Sequence, residues 1–317
     1  MQQETVIQIQ DLTIGYENKI IISGINADIH TGELVGIIGR NGAGKSTLLK
    51  TIRGLLPAKS GKVLYFDQPL DSYREKELAR RVAYLQQNVE TGFGYTGLDI
   101  VLTGRYPYMK WWESETDEDK SLARDCMSYT GTLDLAERPV TEVSGGQKQR
   151  ILLAKVLAQP TPVLFLDEPT TGLDLVYREE IFRFARELAN MGKTILMVVR
   201  ELYLAAAYCS RIFLLGEGKL LADGCPDEVF TEELLSRAYE ADITVGKNPK
   251  SGRLEITTRE NPQAKEKEKE LLQKICVQGI LRRMPFLMTS TFRMVKSLPN
   301  LIWFCADNIY LYILLKR

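Results

Sequence analysis

Leu34 to Ile38 is a short apolar run that leads straight into Gly39-Arg40-Asn41-Gly42-Ala43-Gly44-Lys45-Ser46-Thr47. The run reads as a buried strand, and Ser46 to Ile52 reads as the helix behind the glycines. Strand, glycine-rich turn and helix in immediate succession open a βα unit, which commits the chain to an α/β layer structure. The spacing fits G-x-x-x-x-G-K-S/T. A polyphosphate carries several negative charges, and backbone N–H groups at a helix N-terminus surround it only where side chains stay clear. Glycines allow that approach. Lys45 would then reach the outer phosphates, and the Ser46 hydroxyl would serve as a Mg2+ ligand. An ordinary glycine-rich turn is the plainer alternative, but the strand before it and the helix after it favour the cradle.

Other segments extend the α/β pattern. Val163 to Asp167 and Thr194 to Val199 are further apolar runs that read as buried strands, and Lys62 to Phe66 reads as another strand. Helical spacing covers Asp117 to Thr130, Gly145 to Leu157 and Arg178 to Asn190. Val6 to Tyr16 alternates apolar and polar residues, which predicts an antiparallel β-subdomain beside a parallel sheet. Arg211 to Ala222 reads as a hairpin turning at Gly216-Glu217-Gly218.

Composition excludes several function classes. With 317 residues, 44% of them hydrophobic, the chain is long enough to bury a core in one or two domains. Net charge is zero, so the whole chain does not advertise a polyanionic partner. Five scattered cysteines (Cys126, Cys209, Cys225, Cys276 and Cys305) form no C-x-x-C pair, which argues against a disulfide framework or a zinc site. His30 is the only histidine, so no mechanism needing a histidine elsewhere is available. Met1 to Gln10 lacks the features of a signal peptide, and the main body has no apolar run that would span a bilayer. If the protein serves a membrane, another chain is expected to supply the pore.

Two more segments carry chemistry. Val163-Leu164-Phe165-Leu166-Asp167-Glu168 is an apolar strand ending in adjacent acids. Asp167 would hold the shell of a Mg2+ ion while Glu168 orients or deprotonates an attacking water; two solvated acids at a strand end are the bland alternative. Ser144-Gly145-Gly146-Gln147 opens a predicted helix. Ser144 there is either a simple N-cap or part of a second anion-seeking site.

In this order, the motifs resemble those of ABC ATPases, over about residues 1–257. The resemblance implies a P-loop NTPase fold. It has a mixed, largely parallel central sheet, an N-terminal antiparallel β-subdomain, a helical subdomain at about 88–150 and a C-terminal extension. It implies ATP and Mg2+ as ligands. It also implies a head-to-tail dimer with a second copy, whose Ser144, Gly145, Gly146 and Gln147 complete the ATP site formed by Gly39, Asn41, Gly42, Gly44, Lys45, Ser46 and Thr47. Val143 stands where leucine is more usual. Tyr16 matches the aromatic that stacks on adenine, against the alternative of a strand-end aromatic. Gln87, or the adjacent Gln86, matches the glutamine that senses Mg2+ and faces the membrane partner. Asp174 is the acid of the loop linking the two ATP sites. Catalysis would rest on Glu168 with Lys45, Gln87 and Arg200, and metal binding on Ser46, Gln87 and Asp167.

Arg200 departs from the family pattern, since it stands where a histidine usually touches the γ-phosphate. Arginine stays protonated near neutral pH, yet it hydrogen-bonds phosphate oxygens and pairs with carboxylates such as Glu168. ATP binding is therefore expected, with turnover slowed by Arg200.

Asp99 to Tyr108, Thr130 to Val140 and Asp223 to Phe230 resemble ATPases of iron-siderophore, haem and cobalamin importers. That implies integral-membrane permease subunits, an indirect link to a substrate-binding protein, no nucleic-acid partner, and a place at the cytoplasmic face of the cell membrane. Trp111 and Trp112 are either part of a docking surface or a local packing cluster. After a polar linker at 258–270, Leu271 to Arg317 holds seven basic residues and one acid, Asp307, for a charge of about +6. This basic, apolar extension reads either as a membrane-surface segment or as the remnant of another domain. Two other classes remain: a soluble ABC ATPase with no transport role, and a slow-turnover regulatory subunit.

Overall fold

A computed structural model describes residues 4–86, 94–110, 112–249 and 252–259. Gln87, Trp111, most of the 258–270 linker and the 271–317 extension lie outside the described residues. Met1–Thr258 form one compact unit, and the other unit, Arg259–Arg317, is described only at its first residue.

At the centre is β3 (Leu34–Ile38), with all five residues buried. It pairs in parallel with β8 (Thr194–Val198) on one side and β9 (Arg211–Gly216) on the other. The sheet continues through β7 (Val163–Asp167) to β6 (Val82–Leu85), also parallel. The antiparallel β10 (Lys219–Gly224) closes the opposite edge. The spatial order is thus β10-β9-β3-β8-β7-β6. Like β3, the strands β7 and β8 are buried at every position. Both faces of these strands are covered, which is why their sequences are unbroken apolar runs.

Side-chain alternation divides the core in two. Val35, Ile37, Phe165 and Val198 face a cluster shared with α1 (Lys45–Ile52) and the N-terminal β-sheet. Leu34, Ile38, Leu166 and Met197 face the other cluster, shared with α5 (Gly145–Leu157) and α6 (Leu175–Asn190). The N-terminal sheet is antiparallel, in the order β2-β1-β4-β5, built from β1 (Thr5–Tyr16), β2 (Lys19–His30), β4 (Ser60–Tyr65) and β5 (Gln68–Pro69).

The helical region comprises α3 (Gly97–Leu102), α4 (Asp117–Tyr129) and α5. Thr96 and Thr116 each cap their helix, with Asp99 and Asp119 completing capping boxes. Helix α6 begins at Leu175, before the Arg178 expected from amphipathic spacing. Asp174 accepts bonds from the Val176 and Tyr177 N–H groups at 3.1 Å and so starts the helix early. The remaining elements are α2 (Glu75–Ala79), α7 (Leu202–Tyr208), α8 (Pro226–Val229), α9 (Glu232–Tyr239) and a terminal hairpin, β11 (Ile243–Lys247) with β12 (Leu254–Thr258). Among the described residues no helix is long and apolar enough to cross a membrane.

Candidate functional site

The end of β3 and the start of α1 hold the glycine-rich loop where the sequence put it. Gly39 has φ 146° and Gly42 has φ 84°, a region that L side chains rarely adopt. Their surroundings differ. A Cβ on Gly39 would lie 2.4 Å from the Leu215 carbonyl oxygen, so this glycine is needed for packing against β9. A Cβ on Gly42 would meet no heavy atom within 4 Å, so the backbone there faces open space. Asn41 and Gly42 form the exposed crest, while Gly44 and Lys45 are buried at its base.

Lys45 is only 6% exposed. Its ammonium donates to the carbonyls of Gly39, at 2.7 Å, and Arg40, at 3.0 Å, and so ties the loop into a closed turn. Burial lowers its pKa; the neighbouring Glu168 opposes that shift. One residue on, the Ser46 hydroxyl donates to Asp167 Oδ1 at 2.7 Å. The Tyr84 hydroxyl donates to the second oxygen, Oδ2, at 3.2 Å. Burial pushes the Asp167 carboxyl above its usual range, and these two bonds pull against that shift. Thr47 donates from its hydroxyl to Tyr16 at 3.3 Å, which fixes the half-exposed Tyr16 beside the first turn of α1.

Glu168 follows Asp167 with a positive φ of 50° and a buried side chain. Its Oε2 accepts from Arg200 Nη2 at 2.6 Å and from the Thr171 hydroxyl at 3.2 Å. Arg200 comes from the turn after β8, and its side chain is 50% exposed. The parallel pairing of β7 with β8, with Asp167 opposite Val198, brings this acid and this base together. Next to Arg200, Glu201 pairs with Arg178 at 3.2 Å and accepts from Thr170.

Ser144 to Gln147 open α5 away from the glycine-rich loop's own bonds. Ser144 and Gln147 form a reciprocal capping box, so the N-cap reading of Ser144 holds. It does not compete with an anion site, because Gly145 has open space where a Cβ would stand. Gly146 lies against Gly172, with only 3.1 Å between its Cβ position and the Gly172 oxygen. The structure therefore joins the Ser144–Gln147 turn to the loop that ends in Asp174.

Sequence reasoning did not single out Tyr84, Thr171 or the brace supplied by α9. Tyr239 interacts with the Gly39 backbone, and its hydroxyl pKa is raised by burial to about 12. Glu240 forms an ion pair with Arg40. A polar Tyr in the otherwise apolar run before Gln86 was the one available signal for Tyr84.

Comparison with known proteins gives the family. The ABC transporter family model matches residues 22–171. Over 247 residues the chain is 38% identical to the hemin import ATP-binding protein HmuV of Thermobifida fusca, covering 78% of this chain and 86% of that protein. It is 40% identical over 235 residues to the manganese transport system ATP-binding protein MntB of Listeria monocytogenes, covering 74% and 95%. Among solved structures, cbiO1 from Clostridium perfringens, part of the ABC transporter complex cbiONQ, superposes with a TM-score of 0.62 at 30% identity, covering 74% of this chain and 94% of that one. The chain belongs to the ATP-binding, ATP-hydrolysing subunits of ABC transporters.

Proposed function

We propose that this chain, through residues 1–257, hydrolyses MgATP to drive a metal-chelate importer whose cargo is an iron–siderophore, haem or cobalamin. The observation that carries the site reading is the open space above Gly42, flanked by Lys45, Ser46, Asp167 and Glu168. A triphosphate fits there because unhindered backbone N–H groups and the N-terminus of α1 favour a concentrated negative charge. Tyr16 offers a half-exposed ring for the adenine.

The donor set suits Mg2+. A hydroxyl and a carboxylate, Ser46 and Asp167, already converge within 2.7 Å, and hard oxygen ligands with retained waters are what this ion takes. When bound, Mg2+ neutralises charge on the outer phosphates. Lys45 adds a second positive charge, Asp167 holds the Ser46 hydroxyl in place, and Glu168 orients the attacking water. The open Gly145 supports a role for Ser144 to Gln147 against the nucleotide of a second copy, with Asp174 on the loop between the sites. Gln87 is proposed as a further metal-sensing residue. Permease subunits would dock this dimer at the cytoplasmic face of the membrane, with a substrate-binding protein acting through them.

The cargo reading rests on the resemblance in Asp99 to Tyr108 and on the hemin relative. The manganese relative favours a second reading, import of a free divalent metal. Two measurements test the proposal. The full chain should release phosphate from ATP, and Glu168→Gln should bind ATP but lose that activity; retained turnover in Glu168→Gln refutes the site assignment. Co-purification with a polytopic permease, followed by uptake assays with haem, ferric siderophore, cobalamin and Mn2+, decides the cargo.

A further inference from the structure

Asp167 is 1% exposed and has both carboxylate oxygens occupied, one by Ser46 and the other by Tyr84. Ser46 belongs to the phosphate loop. Tyr84 belongs to a different strand, β6, at the sheet edge. Parallel pairing sets Tyr84 opposite Phe165 and Leu85 opposite Leu166, so the long phenol reaches forward along the sheet to the end of β7. A valine or leucine would satisfy the packing at this position, where the neighbouring Val82, Ala83 and Leu85 are buried and apolar. The hydroxyl is the part that packing does not require.

We infer that Tyr84 is a positioning residue for Mg2+: its hydroxyl fixes the orientation of Asp167 beside Ser46, the two side chains that would hold the ion, and so sets the metal dependence of ATP binding. A buried carboxylate with only one donor is free to turn about its side-chain bonds, and it loses the second bond that offsets its burial. With both donors in place, the carboxylate stands ready beside Ser46 before a metal arrives.

The inference rests on the MgATP reading of the site, and one experiment separates the two. Binding of ATP, or of a non-hydrolysable analogue, to the full chain is measured by calorimetry in EDTA and across a Mg2+ titration. Three proteins are compared: parent, Tyr84→Phe and Tyr65→Phe. Tyr65 is a fully buried phenol that bonds the Ile52 carbonyl instead, so it controls for the general cost of losing a buried hydroxyl. Tyr84→Phe is expected to raise the Mg2+ concentration at half-effect about fivefold, the value of one hydrogen bond. Its affinity for metal-free ATP should stay at the parent value, and Tyr65→Phe should lower Tm with no change in Mg2+ dependence. An unchanged Mg2+ midpoint in Tyr84→Phe overturns the inference, as does an equal loss of affinity with and without Mg2+. If the parent itself binds no ATP under either condition, the site reading falls instead.

Discussion

Arg200 holds Glu168 Oε2 at 2.6 Å and so competes for the carboxylate proposed to orient the attacking water; on that proposal the rate of hydrolysis should depend on the strength of the pair. Hydrogen bonds to charged groups contribute about 1.5–3 kcal/mol. Glu168 is nearly buried, which favours the upper part of that range; Arg200 is 50% exposed, which pulls the value toward the ~1 kcal/mol of surface pairs. An intermediate figure of about 1.4 kcal/mol corresponds to a tenfold equilibrium in favour of the paired form. Replacing Arg200 with histidine, neutral for most molecules above its usual pKa, removes most of that hold and leaves a group able to bond the γ-phosphate. Steady-state phosphate release at saturating MgATP should therefore rise about tenfold in Arg200→His. Arg200→Gln, which keeps hydrogen-bonding capacity without charge, should also exceed the parent. Equal or lower rates in both variants would refute the reasoning, and would mean that Arg200 assists phosphoryl transfer more than it restrains Glu168.

The two glycines of the loop should fail in different ways. Gly39→Ala places a methyl 2.4 Å from the Leu215 carbonyl and should lower Tm sharply, whereas Gly42→Ala should cost about 1 kcal/mol of stability but weaken ATP binding much more, as thermal melts and calorimetry would show. Lys45→Met keeps the packing of the stem and removes the ammonium; its ATP Kd should rise at least about tenfold, with a stability loss from the freed Gly39 and Arg40 carbonyls. Arg105 bonds Asp119 at 2.7 Å and the Ala158 carbonyl at 2.9 Å in a mostly buried setting, so Arg105→Gln should cost about 3 kcal/mol in urea unfolding at neutral pH. The Arg105 bond holds the Asp119 carboxyl below its ordinary 3.8, so the fold favours the charged form. That stabilisation is present above the unfolded value and lost as pH falls through the folded one. The gap between parent and variant should therefore narrow on acidification below 3.8; a constant gap would contradict the pairing.

Much of the site was legible because its chemistry is local in sequence. Gly39 to Thr47 needs only adjacent glycines, a lysine and a helix, and β3, β7 and β8 announce themselves as unbroken apolar runs. Other features depend on contacts that sequence spacing does not carry. Asp174 reads as a polar loop residue until the bonds it accepts make it the start of α6. The five-residue α2 is too short for helical periodicity to register. Tyr84 matters only once β6 is known to lie beside β7, and Glu240 only once α9 returns to the phosphate loop.

Arg200 shows the opposite case, where sequence supplied the anomaly and structure supplied its consequence. An arginine in place of histidine first suggests a changed contact to phosphate. Its ion pair with Glu168 turns that into a question about partner exchange, and the same question applies across the site. Lys45 is held by two carbonyls, Ser46 by Asp167, and Glu168 by Arg200 and Thr171. Among the described residues, Lys45, Ser46 and Glu168 therefore each have a protein partner in this structure. ATP binding must replace those bonds rather than fill unmet ones, and its net gain is the difference between old partners and new. Lys45 and Glu168, both buried, are bonded to protein atoms without the ligand, which limits the cost of burying their charges. The site also discriminates by charge: a diphosphate offers less to Lys45 and Arg200 than a triphosphate does, so the Arg200–Glu168 pair should persist with ADP and yield to ATP.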